Sequence, residues 1–223
     1  MVVSEKENTK ARLLEAAGEE FAEKGYDAAS IRRICQRVGA NCAAVNYHFG
    51  NKEQLYIEAV LEAHRCGTEL LPESVFRQGT PAEQLRRYIH HFLSKVVAIS
   101  EHPRWHYTLM LREMMQPTKA SEVLVSEAIR PRFERLRGIV QRVCPEADER
   151  KLNALAFSVI GQCLHYRIAR AISSRLVGAE AYQALDLEYL SEHITSFCLA
   201  ALGLAPPLNA VGESTASAPL SAN

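Results

Sequence analysis

Charge imbalance is absent from this sequence: 26 lysines and arginines stand against 26 aspartates and glutamates in 223 residues. No global attraction to a polyanion or an acidic membrane face is built in, so any such site must be local. No apolar run approaches the roughly 18–20 residues of a membrane span, and the opening MVVSEKENTKAR has no apolar signal core. A cytoplasmic chain with no membrane partner is expected. The six cysteines (Cys35, Cys42, Cys66, Cys144, Cys163, Cys198) stand far apart with no CxxC pair, in a chain large and apolar enough to need no disulfide staples. Most read as reduced, small core residues. Also missing are a glycine-rich phosphate loop, a nucleophile elbow and a paired-carboxylate arrangement, which argues against an enzyme and against any cofactor.

Sustained alternation of apolar and polar residues is missing too, so the expected fold is all-α. A first helix is expected to be capped by Thr9, with Leu13, Leu14, Ala17 and Phe21 as its stripe and Gly25 as its stop. Ser30 opens a second helix, closed by Gly39. A third spans Asn41 to Gly50, and Asn51 caps a fourth with Gln54 at the third helical position. Pro72, Gly79 and Pro81 then mark a break. Beyond it, longer helices are expected, one with the stripe Leu85, Tyr88, Ile89, Phe92, Leu93, Val96 and Val97, and others over 104–115, 121–143 with Pro131 as a kink or restart, 151–175, and about 187–203. The expected organisation is an N-terminal arm and three-helix domain over 1–52, a fourth linking helix with a helical bundle over 53–204, and a disordered tail over 205–223.

Helix 31–38, the Gly39-Ala40 turn and helix 42–49 have the spacing of a helix-turn-helix. Between Ser30 and Lys52 the cations are Arg32, Arg33, Arg37 and Lys52 and there is no acid, so the segment is +4 inside a neutral chain. A phosphate backbone is its natural complement. Asn41 suits the cap of the recognition helix. Cys42, Ala43, Ala44 and Asn46 lie where that helix can enter a major groove. The Asn46 amide can pair bidentately with an adenine edge, worth about 1–3 kcal/mol of discrimination. Val45 and Phe49 should anchor the opposite face. Arg32 and Arg33, just past the Ser30 cap, can reach flanking phosphates. Cys42 reads more readily as a small groove-facing contact than as a redox switch.

The run from Thr9 to about Ala63, and above all VNYHFGNKEQL, resembles the DNA-binding domain of the TetR family of bacterial transcriptional repressors. The resemblance implies that Tyr47, His48 and Lys52 contact phosphate. His48 has an alternative role in bonding back to the first helix. The HHFL and LREMMQPT stretches are similar to a subgroup associated with antibiotic and xenobiotic response. A homodimeric repressor that binds a palindromic DNA operator and is released by a small-molecule effector is therefore expected. A ligand-independent DNA-binding activator and a metal- or redox-responsive regulator are its rivals.

Symmetric DNA binding requires a self-complementary surface. Leu155, Val159, Ile160, Cys163, Ile194 and Phe197, on the two most apolar C-terminal helices, are the expected dimer face. Trp105, His106, Met110, Glu113 and Met114, with Gln162, His165 and Tyr166, offer the large apolar walls and few polar groups of a pocket for an amphipathic organic effector. A metal site drawn from His90, His91, His102, His106, His165 and Cys163 fails on spacing, since Pro103 breaks the His102/His106 pair and no ligand cadence is present.

Overall fold

Ser30 accepts a hydrogen bond from the Arg33 amide in its extended N-cap conformation, and Gly39 ends the same helix in the left-handed region at φ 65°. These two punctuation marks, read from sequence, bound a single two-turn helix. The computed structural model describes residues 5–65, 74, 78–97 and 104–206, and among them there is no strand. The chain forms two compact units, Met1–Leu70 with Ala98–Glu134, and Leu71–Val97 with Arg135–Asn223.

The first unit opens with α1 (Glu5–Ala28), followed by α2 (Ile31–Val38), α3 (Ala43–Phe49) and α4 (Lys52–Arg65); α6 (Arg104–Met115) and α7 (Lys119–Leu124) complete it, with a π-helical turn at Val125–Ile129. Leu13, Ala17 and Phe21 of α1 meet Ile34 and Cys35 of α2, Val45 and Phe49 of α3, and Leu55, Tyr56, Ala59 and Val60 of α4 in one core. Trp105 and Leu109 of α6 are buried in the same cluster. Deleting any of the large apolar side chains there costs about 2–5 kcal/mol.

In the second unit α5 (Pro81–Val97) buries Leu85, Tyr88, Ile89 and Leu93 against α9 (Glu149–Ile168) and α12 (Leu187–Ala201). Leu136, Ile139 and Val140 of α8 (Arg130–Val143) are also buried, as are Leu152, Ala156, Val159 and Cys163 of α9 and Leu190, Ile194, Cys198 and Leu199 of α12. Arg86 pairs with Glu192, and Arg142 donates to Gln84. Two short helices, α10 (Arg170–Val177) and α11 (Ala179–Gln183), bury no residue.

Several expected boundaries move. The first helix begins at Glu5, so Thr9 is an interior residue and not a cap; glutamates in the first turn suit the positive end of the helix dipole. Gly25, at φ 78° and ψ 174°, does break the helix, leaving one further turn to Ala28. The expected helix 121–143 is three pieces. Pro131 cannot donate to the carbonyl four residues back, and the π-turn just before it supplies the offset. The expected 151–175 helix breaks at Ala169 into α9 and α10, and the five-residue α11 was not expected from periodicity. Cys66, Pro72, His102 and the tail from residue 207 lie outside the described residues.

Candidate nucleic-acid interface

After the Gly39 turn, Asn41 and Cys42 just before α3 and Ala43, Asn46 and Tyr47 on it face solvent, with Ala44 half-buried, while Val45 and Phe49 enter the core. An apolar residue every fourth position pins one face and frees the other. Asn41 stands two residues before the helix, and its Oδ1 accepts the Ala43 amide at 2.9 Å. The cap position itself is Cys42, whose side chain makes no capping bond. Asn51 caps α4 as expected, accepting the Gln54 amide at 2.9 Å. Tyr47 is 66% exposed, the most exposed aromatic on this face. Half-buried His48 sits edge-on to Tyr47, with ring centroids 5.0 Å apart, and tilted against Phe49.

The +4 charge of the segment is partly spent inside the protein. Glu20 of α1 is fully buried and lies 3.5 Å from Arg33 and 3.4 Å from Arg37. Arg37 also reaches Glu19 at 2.7 Å and Glu23 at 3.6 Å. Glu23 is held below the ordinary carboxylate range by Lys24 first, with Arg33 and Arg37 adding to it. The acids of α1 therefore face the arginines of α2. Arg33 bridges to α1 instead of standing free for a phosphate. Arg32 is exposed with no ion-pair partner among the described residues. Lys52 donates to the Asp27 carbonyl at 3.1 Å and lies 5.1 Å from the Tyr26 ring centroid, so it joins the end of α1 to the start of α4. Sequence reading passed over Arg12, which donates to the Val38 carbonyl at 2.7 Å, and Lys10, whose Nζ stands 5.5 Å from the Phe49 ring centroid.

The residues expected to line an effector pocket fall in both units. In the first, the indole N–H of buried Trp105 donates to Glu15 Oε1 at 2.7 Å, and its ring covers Gly18 so closely that a Cβ there would collide with it. His106 is buried and stacks on Trp105 with centroids 3.7 Å apart. Glu113 is buried, and its carboxylate accepts from Tyr56 Oη at 2.7 Å, the Thr118 amide at 2.8 Å and the Thr118 hydroxyl at 3.0 Å. These three pack between helices of the first unit, and Gly18, a glycine in mid-helix, was the overlooked signal for the close approach of Trp105. Met110 is half-buried and Met114 exposed. In the second unit, Gln162 donates to Cys198 Sγ at 3.5 Å, His165 Nε2 lies 3.4 Å from Ser173 Oγ, and the Tyr166 carbonyl accepts from the Tyr182 hydroxyl at 3.1 Å.

Of the expected dimer residues, Val159, Cys163 and Ile194 are buried in their own unit, while Leu155 and Ile160 are half-buried. Phe197 is exposed. The outward stripe of α9 is instead Ala154, Phe157, Gly161, His165 and Ile168, and that of α12 is Tyr189, His193, Phe197 and Ala201. Among the described residues, no three His, Cys, Asp or Glu side chains are grouped to hold a metal, and no helix is long and apolar enough to cross a membrane.

A two-turn helix with a free polar and small-residue face, set on a three-helix core, defines a helix-turn-helix DNA-binding protein. Residues 13–59 match the bacterial regulatory proteins of the tetR family, and residues 81–202 match the C-terminal domain of the HTH-type transcriptional dual regulator CecR. The chain belongs to the TetR family of transcriptional regulators, with a C-terminal domain of the CecR type. It is 25% identical over 199 residues to CecR of Shigella flexneri, covering 85% of this chain and 89% of that one. It is 34% identical over 67 residues to the transcriptional repressor AcnR of Corynebacterium glutamicum, covering 30% of this chain and only 36% of that one. The fold is shared with the transcriptional regulator FadR of Bacillus subtilis, solved with stearoyl-CoA, at a TM-score of 0.58 and 17% identity, covering 85% and 97% of the two chains. The family consists of regulators and not of enzymes, and its members bind operator DNA and small-molecule effectors.

Proposed function

We propose that the protein is a homodimeric repressor that binds a palindromic operator through α3 and is released by an amphipathic organic effector. The observation that carries the reading is the division of α3, with Val45 and Phe49 buried and Ala43, Asn46 and Tyr47 turned outward. Asn46 reads a base edge; Arg32, Tyr47, His48 and Lys52 hold the backbone. The repressor sense is supported by AcnR, and an acyl or similarly amphipathic effector by the stearoyl-CoA held by FadR. The exposed stripes of α9 and α12 supply apolar surface for a symmetric partner.

Release follows from how α6 is tied. Trp105 bonds to Glu15 of α1, Arg112 donates to the Glu23 carbonyl at 3.4 Å, and Glu113 bonds to Tyr56 of α4. An effector that displaces α6 drags α1, which packs on α2, and α4, which packs on α3, and so alters the spacing of the two recognition helices. The test selects bound fragments from random DNA and then measures affinity for the selected site with and without acyl-CoA thioesters of graded length. A symmetric half-site pattern with effector-weakened affinity supports the reading; no sequence preference refutes it. The dual regulator CecR favours a second reading, in which the same bound protein activates some promoters, separable by transcription assays on each selected site.

A further inference from the structure

Glu20 is a charged residue on an apolar stripe. It lies with Leu13, Ala17 and Phe21 on the buried face of α1, and its side chain is fully buried. Its Oε1 accepts the amide of Ser30, the N-cap of α2, at 3.3 Å. Its Oε2 faces Arg33 Nε at 3.5 Å and Arg37 Nη2 at 3.4 Å. Those two arginines stand one turn apart on α2 and share a face, where Glu19 and Glu23 also approach Arg37 to 2.7 and 3.6 Å. Arg32, on the neighbouring face, has no ion-pair partner among the described residues. The three cations of α2 are thus divided, one open and two occupied.

We infer that Glu20 is a positioning residue of the DNA-binding unit: its buried carboxylate holds Arg33 and Arg37 against α1 as an internal substitute for phosphate, and so lowers the protein's affinity for polyanions of any sequence. The inference rests on the operator-binding reading above. The occupied pair is not itself buried, since the side chains of Arg33 and Arg37 are 52% and 33% exposed. Guanidiniums at the surface of this unit would otherwise turn to phosphate oxygens, which they match as well as they match a carboxylate. Each arginine that Glu20 retains is one phosphate contact withheld from every duplex alike. Such restraint matters where nonspecific sites far outnumber the operator. A position that needed only to be filled would take an apolar side chain, as Ala17 and Phe21 beside it do, because desolvating a carboxylate is costly.

Glu20→Gln removes the charge, keeps an oxygen for the Ser30 amide, and strands no buried cation because both arginines reach solvent. The test measures full-length wild type and Glu20→Gln on a random-sequence duplex across a range of salt, and on immobilised heparin as a second polyanion. Glu20→Gln is expected to bind the duplex about threefold to tenfold more tightly near about 0.1 M salt, with a salt slope about one unit steeper, and to leave heparin at higher salt. Damage to the fold would move all three readings the other way. Adding Arg33→Ala and Arg37→Ala to Glu20→Gln is expected to cancel the gain, whereas the same two changes in the wild type alter the slope little. Where Glu20→Gln does not fold, Glu19→Gln with Glu23→Gln at the surface takes from Arg37 two of its three carboxylates, and a gain of the same sign is expected. Unchanged or weaker polyanion binding by the folded variant, or a gain that survives the loss of both arginines, overturns the inference. A wild type with no preference for any selected site overturns the operator reading alone, since the duplex slope and heparin elution still decide the role of Glu20.

Discussion

The hydroxyl of Tyr56 on α4 donates to Glu113 on α6 across 2.7 Å inside the first unit, and the Thr118 amide and hydroxyl fill the rest of the carboxylate. One buried charge thus orders the α6–α7 turn and fixes α4 to α6. A buried carboxylate persists only where donors surround it, and here each oxygen has its own. Burial and Glu113 together raise the Tyr56 phenol well above the ordinary tyrosine range, so it remains a donor at any physiological pH.

Tyr56→Phe removes one of those donors and leaves the others. The expected loss is about 1–3 kcal/mol of unfolding free energy. Urea unfolding of the reduced protein measures it. Tyr56→Phe as stable as wild type shows that the contact does not hold α4.

Gly18→Ala places a methyl group against the ring of Trp105. Overpacking of this kind costs about 1–3 kcal/mol. Because the chain has one tryptophan, its fluorescence reports this contact and no other. The Gly18→Ala emission is expected to shift to the red as the indole loses Glu15 and its buried seat; an unshifted spectrum with unchanged stability counts against the packing described.

The two apolar C-terminal helices separate a surface role from a core role. Phe157 is 62% exposed and Phe197 46%, whereas Val159 is 4% exposed. Phe157→Asp is expected to give a folded protein of half the assembled mass by sedimentation, and Val159→Asp an unfolded one, because only the second buries a lone charge. A Phe157→Asp protein that remains dimeric removes α9 from the interface.

Alkaline pH should lower stability through the buried thiols. Burial raises Cys35 and Cys198 to about 11 and Cys163 to about 12, against an ordinary 9.0. Above about pH 9 the unfolded chain gives up thiol protons that the folded chain retains, so the unfolded state binds fewer protons and unfolding free energy falls as pH rises. Their contribution is complete below pH 9 and lost through the folded values. Denaturation between pH 8 and 10.5 is expected to show this decline, and a Cys163→Ala, Cys198→Ala double variant to show a shallower one; equal slopes contradict it.

Much of the first unit was legible because its punctuation is local. Ser30, Gly39 and Asn51 act within four residues of themselves, and each performs the capping expected of it. The outward face of α3 followed from two anchors four apart. What escaped depends on partners far along the chain. Glu20 draws Arg33 and Arg37 from ten to twenty residues away, Trp105 reaches Glu15 across ninety, and Glu113 reaches Tyr56 across fifty-seven. Residue type alone could not show that Trp105 and Glu113 tie helices together through these hydrogen bonds. Helix α9 was too evenly apolar for its periodicity to separate Val159, which is core, from Phe157, which is surface.

The most direct measurement is DNA affinity of four variants on a selected operator across a range of salt. Asn46→Ala is expected to lose about 1–3 kcal/mol at one base position, with the salt slope unchanged. Arg32→Ala and Lys52→Ala should weaken binding to every sequence and lower the salt slope by about one unit each. Arg33→Ala should leave that slope nearly intact, since its guanidinium bridges to Glu20. Uniform loss from Asn46→Ala, or a full unit of slope lost from Arg33→Ala but none from Arg32→Ala, contradicts the assignment of α3 as the reading helix and of Arg32 as the free cation beside it.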